Sequence, residues 1–164
     1  HLMYNSSLYH LRLKDKQKLR KFYGTISEKA FKNLYRQNDI KGFISSLERR
    51  LDSIIYRIHF ASTPFSARQK IYHGFFLVNK RKIKKKGYKL KPGDIITISS
   101  LKFHRIIYKE LKGSLKPYKH LMLTPNYLEV NYKKLYCVLV NIPSLNEVFY
   151  TIPLSLPLVK EFYR

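Results

Sequence analysis

Between residues 49 and 86 the chain concentrates side chains that hold anions. Arg49, Arg50, Arg57, Arg68, Lys80, Arg81, Lys82, Lys84, Lys85 and Lys86 are interleaved with Ser62, Thr63, Gln69 and His73. Guanidinium and ammonium groups neutralise phosphates, while hydroxyl, amide and imidazole groups fix register by hydrogen bonding. The tract through Lys84, Lys85 and Lys86, next to Arg81 and Lys82, repels itself in water, so an anion is its natural counterpart. The roughly 65 residues that follow the central stretch show no nucleotide-binding glycine loop and no convincing acid–base constellation. The chemistry implied is polyanion binding, with no catalytic residue, cofactor or metal expected.

Charge over the whole chain points the same way. In 164 residues, 33 Lys and Arg face 10 Asp and Glu, a formal charge of +23. Such an excess repels itself in an isolated compact state, so nucleic acid is the first candidate partner and an anionic membrane the second. No apolar run approaches the roughly 18 residues of a spanning helix, and the most apolar stretch, residues 148–159, is interrupted by Pro153 and Pro157. The start of the sequence lacks the hydrophobic region of a secretory signal. Cys137 is alone, which excludes an internal disulfide and a cysteine zinc site, and the histidines show no paired ligand spacing. A buried apolar role is expected for that thiol. The absence of Trp beside 14 Tyr and 10 Phe, with abundant Lys, Ile and Asn, is the bias of an AT-rich genome.

These side chains need elements to position them. Ser45 and Glu48 have the spacing of a capping box, which predicts a helix starting there. Leu47, Leu51, Ile54, Ile55 and Ile58 mark its apolar face, with Arg49, Asp52, Ser53 and Tyr56 opposite and Arg50 and Arg57 on one flank. Surface pairs Arg50–Asp52 and Arg57–Glu48 are the plain alternative to anion contacts. Thr63 and Pro64 announce a second helix that stops at Gly74 and turns Arg68 and Gln69 outward. The amides at its start also suit a phosphate. Short β-prone runs at 76–78, 82–84 and 95–98 follow, separated by Asn79-Lys80 and Lys91-Pro92-Gly93-Asp94. Of Phe75 and Phe76, one is expected in the core and the other available for stacking or for a protein contact.

Upstream, residues 1–14 show no period and read as an arm. Asp15 then caps a helix ended by Gly24, Ser27 caps a second, and residues 38–43 form a hinge. Downstream, residues 101–120 read as a basic linker, helical over 102–111, with Gly113 and Pro117 as breakers. Strands are expected at 127–130 and 136–140, and a short helix at 159–163.

The blocks LERRLDSIIYR, ASTPFSARQ, HGFFLVN and PGDII resemble the S4 RNA-binding motif. With KQKLRKFYG and SEKAFKNLYR before them and NYLEVN after them, they resemble the uS4 family of small-subunit ribosomal proteins over roughly the whole chain. The resemblance implies an α+β fold in which a helical N-terminal hairpin (1–44) precedes an S4 module of two helices on a small twisted sheet (45–100). A basic linker and C-terminal arm (101–164) then pack back on the helical region. It further implies a non-enzymatic constituent of the small subunit that binds its rRNA early in assembly, beside ribosomal protein uS5 and near the mRNA entrance. The cationic and hydrogen-bonding side chains from Arg49 to Lys86 would make the RNA contacts.

Compositional bias together with a bacterial-type pattern suggests an organellar form, mitochondrial rather than plastid. Two departures from the family pattern matter. Lys80 stands where glycine usually follows Val-Asn, and Tyr127 stands where the arm usually has tryptophan. The chain reaches KQKLR almost at once, so most of the family's N-terminal region, with any rRNA or zinc contacts made there, is expected to be missing. A free-standing S4-type RNA chaperone or assembly factor is the alternative reading, against which the flanking blocks argue. An RNA-modifying enzyme or tRNA synthetase using the module as a grip would need a catalytic domain that the last 65 or so residues do not resemble. Reversing Arg50 and Arg68 to glutamate is expected to weaken RNA binding and leave the fold intact.

Overall fold

Leu51, Ile54, Ile55 and Ile58 are fully buried, as their spacing requires, but the helix that carries them is not the one the capping box announces. The structure is a computed structural model that describes residues 2–115 and 124–163, with side chains described for 7–113 and 124–163. In it α1 is Leu2–Phe22, α2 Glu28–Arg36, α3 Ile40–Glu48, α4 Leu51–Arg57, α5 Pro64–Tyr72, α6 Leu101–Leu115 and α7 Leu156–Phe162. The strands are β1 Phe76–Val78, β2 Arg81–Lys82, β3 Ile95–Ile98, β4 Leu128–Asn131 and β5 Tyr136–Leu139. The chain divides into two compact units, one of residues 1–44 with 149–164 and one of Ser45–Val148.

The second unit is a sheet of order β2-β1-β3-β5-β4, antiparallel throughout, sharing one core with α4, α5 and α6. Ile96 of β3 pairs with Val78 on one side and Cys137 on the other, so the strands after the linker complete the sheet begun by the central ones. The unit therefore continues well past residue 100. Cys137 is fully buried in β5, as expected of a small apolar side chain.

The Ser45–Glu48 box does not form: α3 already runs from Ile40, with Asp39 Oδ1 accepting from Gly42 N at 2.8 Å, and the Glu48 carboxylate turns into the core. The long helix is instead broken at Arg50, whose ψ of 141° is extended. Backbone pairing with the following loop causes the break, because Leu90 N donates to Arg49 O while Leu51 N and Asp52 N donate to Tyr88 O and Lys86 O. Asp52 and Ser53, placed by periodicity on the outer side, are buried. Phe75 and Phe76 are both buried, since Phe75 stacks on Phe103 of α6 with centroids 3.9 Å apart.

Gly113 lies inside α6 and does not break it, while Lys116, Pro117, Lys119 and His120 of the expected linker lie outside the described residues. The Asn79-Lys80 turn keeps its two-residue form, with Val78 paired to Arg81 and φ of 49° and 66° at its two central residues. That is the type I′ signature without glycine.

In the first unit the expected arm is helical. Residues 2–22 form one helix, and Asp15 is not its cap but an interior residue accepting from Ser155 N at 3.1 Å. Contacts with α7, including the Arg12–Glu161 pair at 2.9 Å, supply the stabilisation that local periodicity does not announce. Ser27 caps α2 through Ala30 N as expected, and Gly24 ends α1 at φ 77°. Phe31 packs edge-on against Phe43 at 4.9 Å, so the segment expected as a hinge contributes to this core.

Candidate nucleic-acid interface

Asp52 organises the basic surface. Its carboxylate is 2% exposed and accepts from Arg50 Nε at 3.1 Å, Arg50 Nη2 at 3.1 Å and Arg68 Nε at 2.9 Å. Two guanidinium groups, one at the break before α4 and one on α5, are thus aligned on a single acid and leave an excess positive charge. Being half-buried and held at fixed angles, they lose little rotamer entropy on meeting a phosphate.

The lysine tract is fixed by its backbone. Lys86 O and Tyr88 O occupy the first amides of α4, with Asp52 N to Lys86 O at 3.1 Å and Leu51 N to Tyr88 O at 2.8 Å. Carbonyls therefore satisfy the helix start, and the ammonium groups of Lys84, Lys85 and Lys86 are left exposed. Together with Arg68, Gln69 and Tyr72 these lysines line a concave surface of about 490 Å³. The cation-rich lining excludes cations and favours a phosphodiester.

Other candidate residues are distributed differently. Ser62 and Thr63 are exposed at the start of α5, where Thr63 Oγ1 already accepts from Ser66 N at 3.0 Å. One of the amides expected to meet a phosphate is therefore capped from within. His73 is exposed at the other end of α5, and Lys80, Arg81 and Lys82 stand exposed on the β1–β2 hairpin. None of these lines the concave surface. Arg49 is half-buried, its Nε has no hydrogen-bond partner among the described residues, and burial lowers its pKa. Lys89 Nζ donates to Ser46 Oγ at 3.0 Å, and burial with the nearby Arg49 charge lowers the lysine pKa.

Arg57 is withdrawn from the surface altogether. It is 5% exposed and binds the fully buried Glu48 through Nη2–Oε1 at 2.6 Å and Nε–Oε2 at 3.1 Å. Tyr127 donates from its hydroxyl to the same Glu48 Oε2 at 2.6 Å. The pair read from sequence as a surface contact is thus an internal one that ties α3, α4 and the segment before β4 together. Its chemistry is structural.

Sequence reasoning missed Lys89, whose sequence neighbourhood is an undistinguished turn, and Tyr72, which is 71% exposed. Tyr72 was legible, because it stands four residues after Arg68 on α5 and so shares that helix face. Among the described residues no group of His, Cys, Asp or Glu has the arrangement of a metal site, and no helix is long and apolar enough to cross a membrane. Burial pushes the Cys137 thiol up to about 12, which keeps it protonated and inert at neutral pH.

Residues 49–96, which carry the Asp52 cluster and the lysine tract, match the S4 domain family. The chain is 38% identical over 161 residues to the small ribosomal subunit protein uS4 of Parvibaculum lavamentivorans, covering 94% of this chain and 76% of that protein. It is 35% identical over 160 residues to uS4 of Phenylobacterium zucineum, covering 93% and 75%. With uS4 of Persephonella marina it shares 38% over 161 residues, covering 94% and 76%. These alignments run through both compact units as well as the S4 domain, and on that basis the chain belongs to the uS4 family of small ribosomal subunit proteins.

Proposed function

We propose that this protein is a structural constituent of the small ribosomal subunit, binding rRNA through the basic face of its S4 module and supporting subunit assembly and translation. The observation that carries this reading is the Arg50–Asp52–Arg68 cluster beside the exposed tract Lys84, Lys85 and Lys86. Folded RNA presents phosphates and 2′-hydroxyls across a shape, and fixed guanidinium groups with exposed ammonium groups match such a target. Arg49, Arg50, Arg68, Lys80, Arg81, Lys82 and the lysine tract neutralise phosphates in this reading, and Ser62, Thr63, Gln69 and His73 donate or accept hydrogen bonds. Arg57 is left out because its guanidinium is spent on Glu48. No reaction is catalysed.

The position we infer is beside ribosomal protein uS5, near the mRNA entrance, in a mitochondrial ribosome. Membership of the uS4 family supports the neighbourhood, while the Trp-free, Tyr- and Phe-rich composition and the bacterial relatives support the organelle. The helical hairpin, the S4 module and the C-terminal arm are proposed as the three functional segments of the chain. High-salt gradient sedimentation of a mitochondrial lysate, with the chain followed by mass spectrometry, tests the reading. Stoichiometric retention on the mature small subunit is the expected result. Recovery only on precursors, or free at the top of the gradient, overturns it in favour of an assembly factor or RNA chaperone.

A further inference from the structure

One face of α5 is turned away from the apolar core and is not simply basic. Phe65, Arg68, Gln69 and Tyr72 fall within about a third of the helix circumference, given roughly 100° per residue. Arg68 holds the Asp52 carboxylate, yet the aromatic rings on either side of it are the exposed ones, Phe65 at 60% and Tyr72 at 71%. An exposed aromatic face gains when a flat apolar ligand covers it. The Arg68 guanidinium lies over the Phe65 ring at 5.6 Å. Tyr72, by contrast, lies in the concave surface shared with Arg68, Gln69, Lys84, Lys85 and Lys86.

A ring exposed in a pocket whose charged lining is entirely cationic selects a ligand with both a flat apolar face and negative charge. An unpaired nucleotide has both. Its base stacks on an aromatic face, and its phosphates lie within reach of guanidinium and ammonium groups. A paired nucleotide does not fit, because its base faces are already occupied by stacking within the helix. Gln69 supplies an amide that can both donate to and accept from a base edge.

We propose that Tyr72 is a stacking platform for one unpaired RNA base, with Arg68 and the tract Lys84 to Lys86 holding the flanking phosphates, so that this surface recognises a bulge or loop and not only helical backbone. The inference rests on the RNA-binding reading above, and its test separates the two. The probe is an RNA hairpin with a single 2-aminopurine bulge, compared with a fully paired hairpin of the same length, titrated with the full chain. Tyr72 is exposed, so its substitution leaves the core intact, which circular dichroism checks.

The expected result is that the wild type and Tyr72→Phe quench the bulged fluorophore, whereas Tyr72→Ala does not. Affinity for the bulged RNA should fall about tenfold in Tyr72→Ala, the loss of one base stack, and the salt slope should not change. Equal quenching and affinity in Tyr72→Ala, with salt-dependent binding retained, overturns the stacking platform and leaves the electrostatic reading standing. Salt-independent binding of both hairpins overturns both. As a second measurement, a photo-crosslinking side chain at position 72 is placed in assembled small subunits. Crosslinks to rRNA support the proposal, and crosslinks to a protein overturn it.

Discussion

Glu48→Ala would remove the carboxylate that the Arg57 guanidinium, 5% exposed, binds through two nitrogens and to which the Tyr127 hydroxyl donates. An internal charge stripped of its counter-ion costs about 3–5 kcal/mol. Urea denaturation of Glu48→Ala should show a loss of that order, and a loss below about 1 kcal/mol would mean that the pair behaves as a surface contact. The same argument reverses the expectation for Arg50→Glu with Arg68→Glu. Asp52 is 2% exposed and both arginines bind it, so the double reversal puts three carboxylates where one was neutralised by two cations. Circular dichroism should report loss of the fold, which makes this variant unsuitable for measuring RNA contacts; alanine replacements of Lys84, Lys85 and Lys86 are the informative ones. Cys137 carries a pH prediction. Its ionisation is pushed from 9.0 up to about 12 by burial, so the unfolded chain releases the proton first. The stability linked to this thiol is complete below about pH 9 and is lost as pH rises toward about 12, because in that range the unfolded chain holds fewer protons than the folded one. Burial raises the Tyr132 hydroxyl in the same sense. Denaturation midpoints measured across the alkaline range should fall, and a flat profile would show that these groups titrate freely in the folded protein.

The β1–β2 hairpin shows how an element tolerates an unfavourable residue. Its turn holds Asn79 and Lys80 at positive φ, where a side chain other than glycine is strained. Asn79 is fixed by its own side chain, which donates to Asp94 Oδ1 at 2.8 Å and accepts from Ile95 N at 3.0 Å. Lys80 is exposed at φ 66°. Lys80→Gly should therefore stabilise the module by about 0.5–1 kcal/mol, the relief of strain exceeding the added freedom of the unfolded chain. Thermal denaturation checks the sign, and destabilisation would mean that the ammonium group makes a contact in the folded state. The break between α3 and α4 is the opposite case, where an element yields. Helical periodicity continues through Arg49 and Arg50, yet the amides of Leu51 and Asp52 bond to the loop of Lys86 and Tyr88 instead. Nothing in the local spacing encodes a competitor more than thirty residues away.

At the scale of the molecule, a formal charge of +23 makes association with RNA an exchange of counter-ions. If about six phosphates are engaged, the plot of log affinity against log salt should have a slope of about −4 to −5. Titrations of a small-subunit rRNA fragment at several salt concentrations measure it directly. A slope near zero would remove phosphate neutralisation as the basis of binding. The two compact units contribute differently to the expectation: the second carries the Asp52 cluster and the lysine tract, while the first is held by α1–α7 contacts such as the Arg12–Glu161 pair.

Sequence alone determined the α+β class, the apolar set Leu51, Ile54, Ile55 and Ile58, the caps at Ser27 and Thr63, the stops at Gly24 and Gly74, and the basic character of the central stretch. These depend on neighbours within one or two turns, and local spacing carries that information. Tertiary structure decided which charges remain available. Arg50, Arg57 and Arg68 are alike in sequence, yet Arg57 meets a fully buried carboxylate while Arg50 and Arg68 share one at the margin of the core. Only the packing of Tyr127, 79 residues from Glu48 along the chain, completes the internal pair. A charge is a binding group or a structural one according to the dielectric around it and the partner it meets, and distant segments supply both.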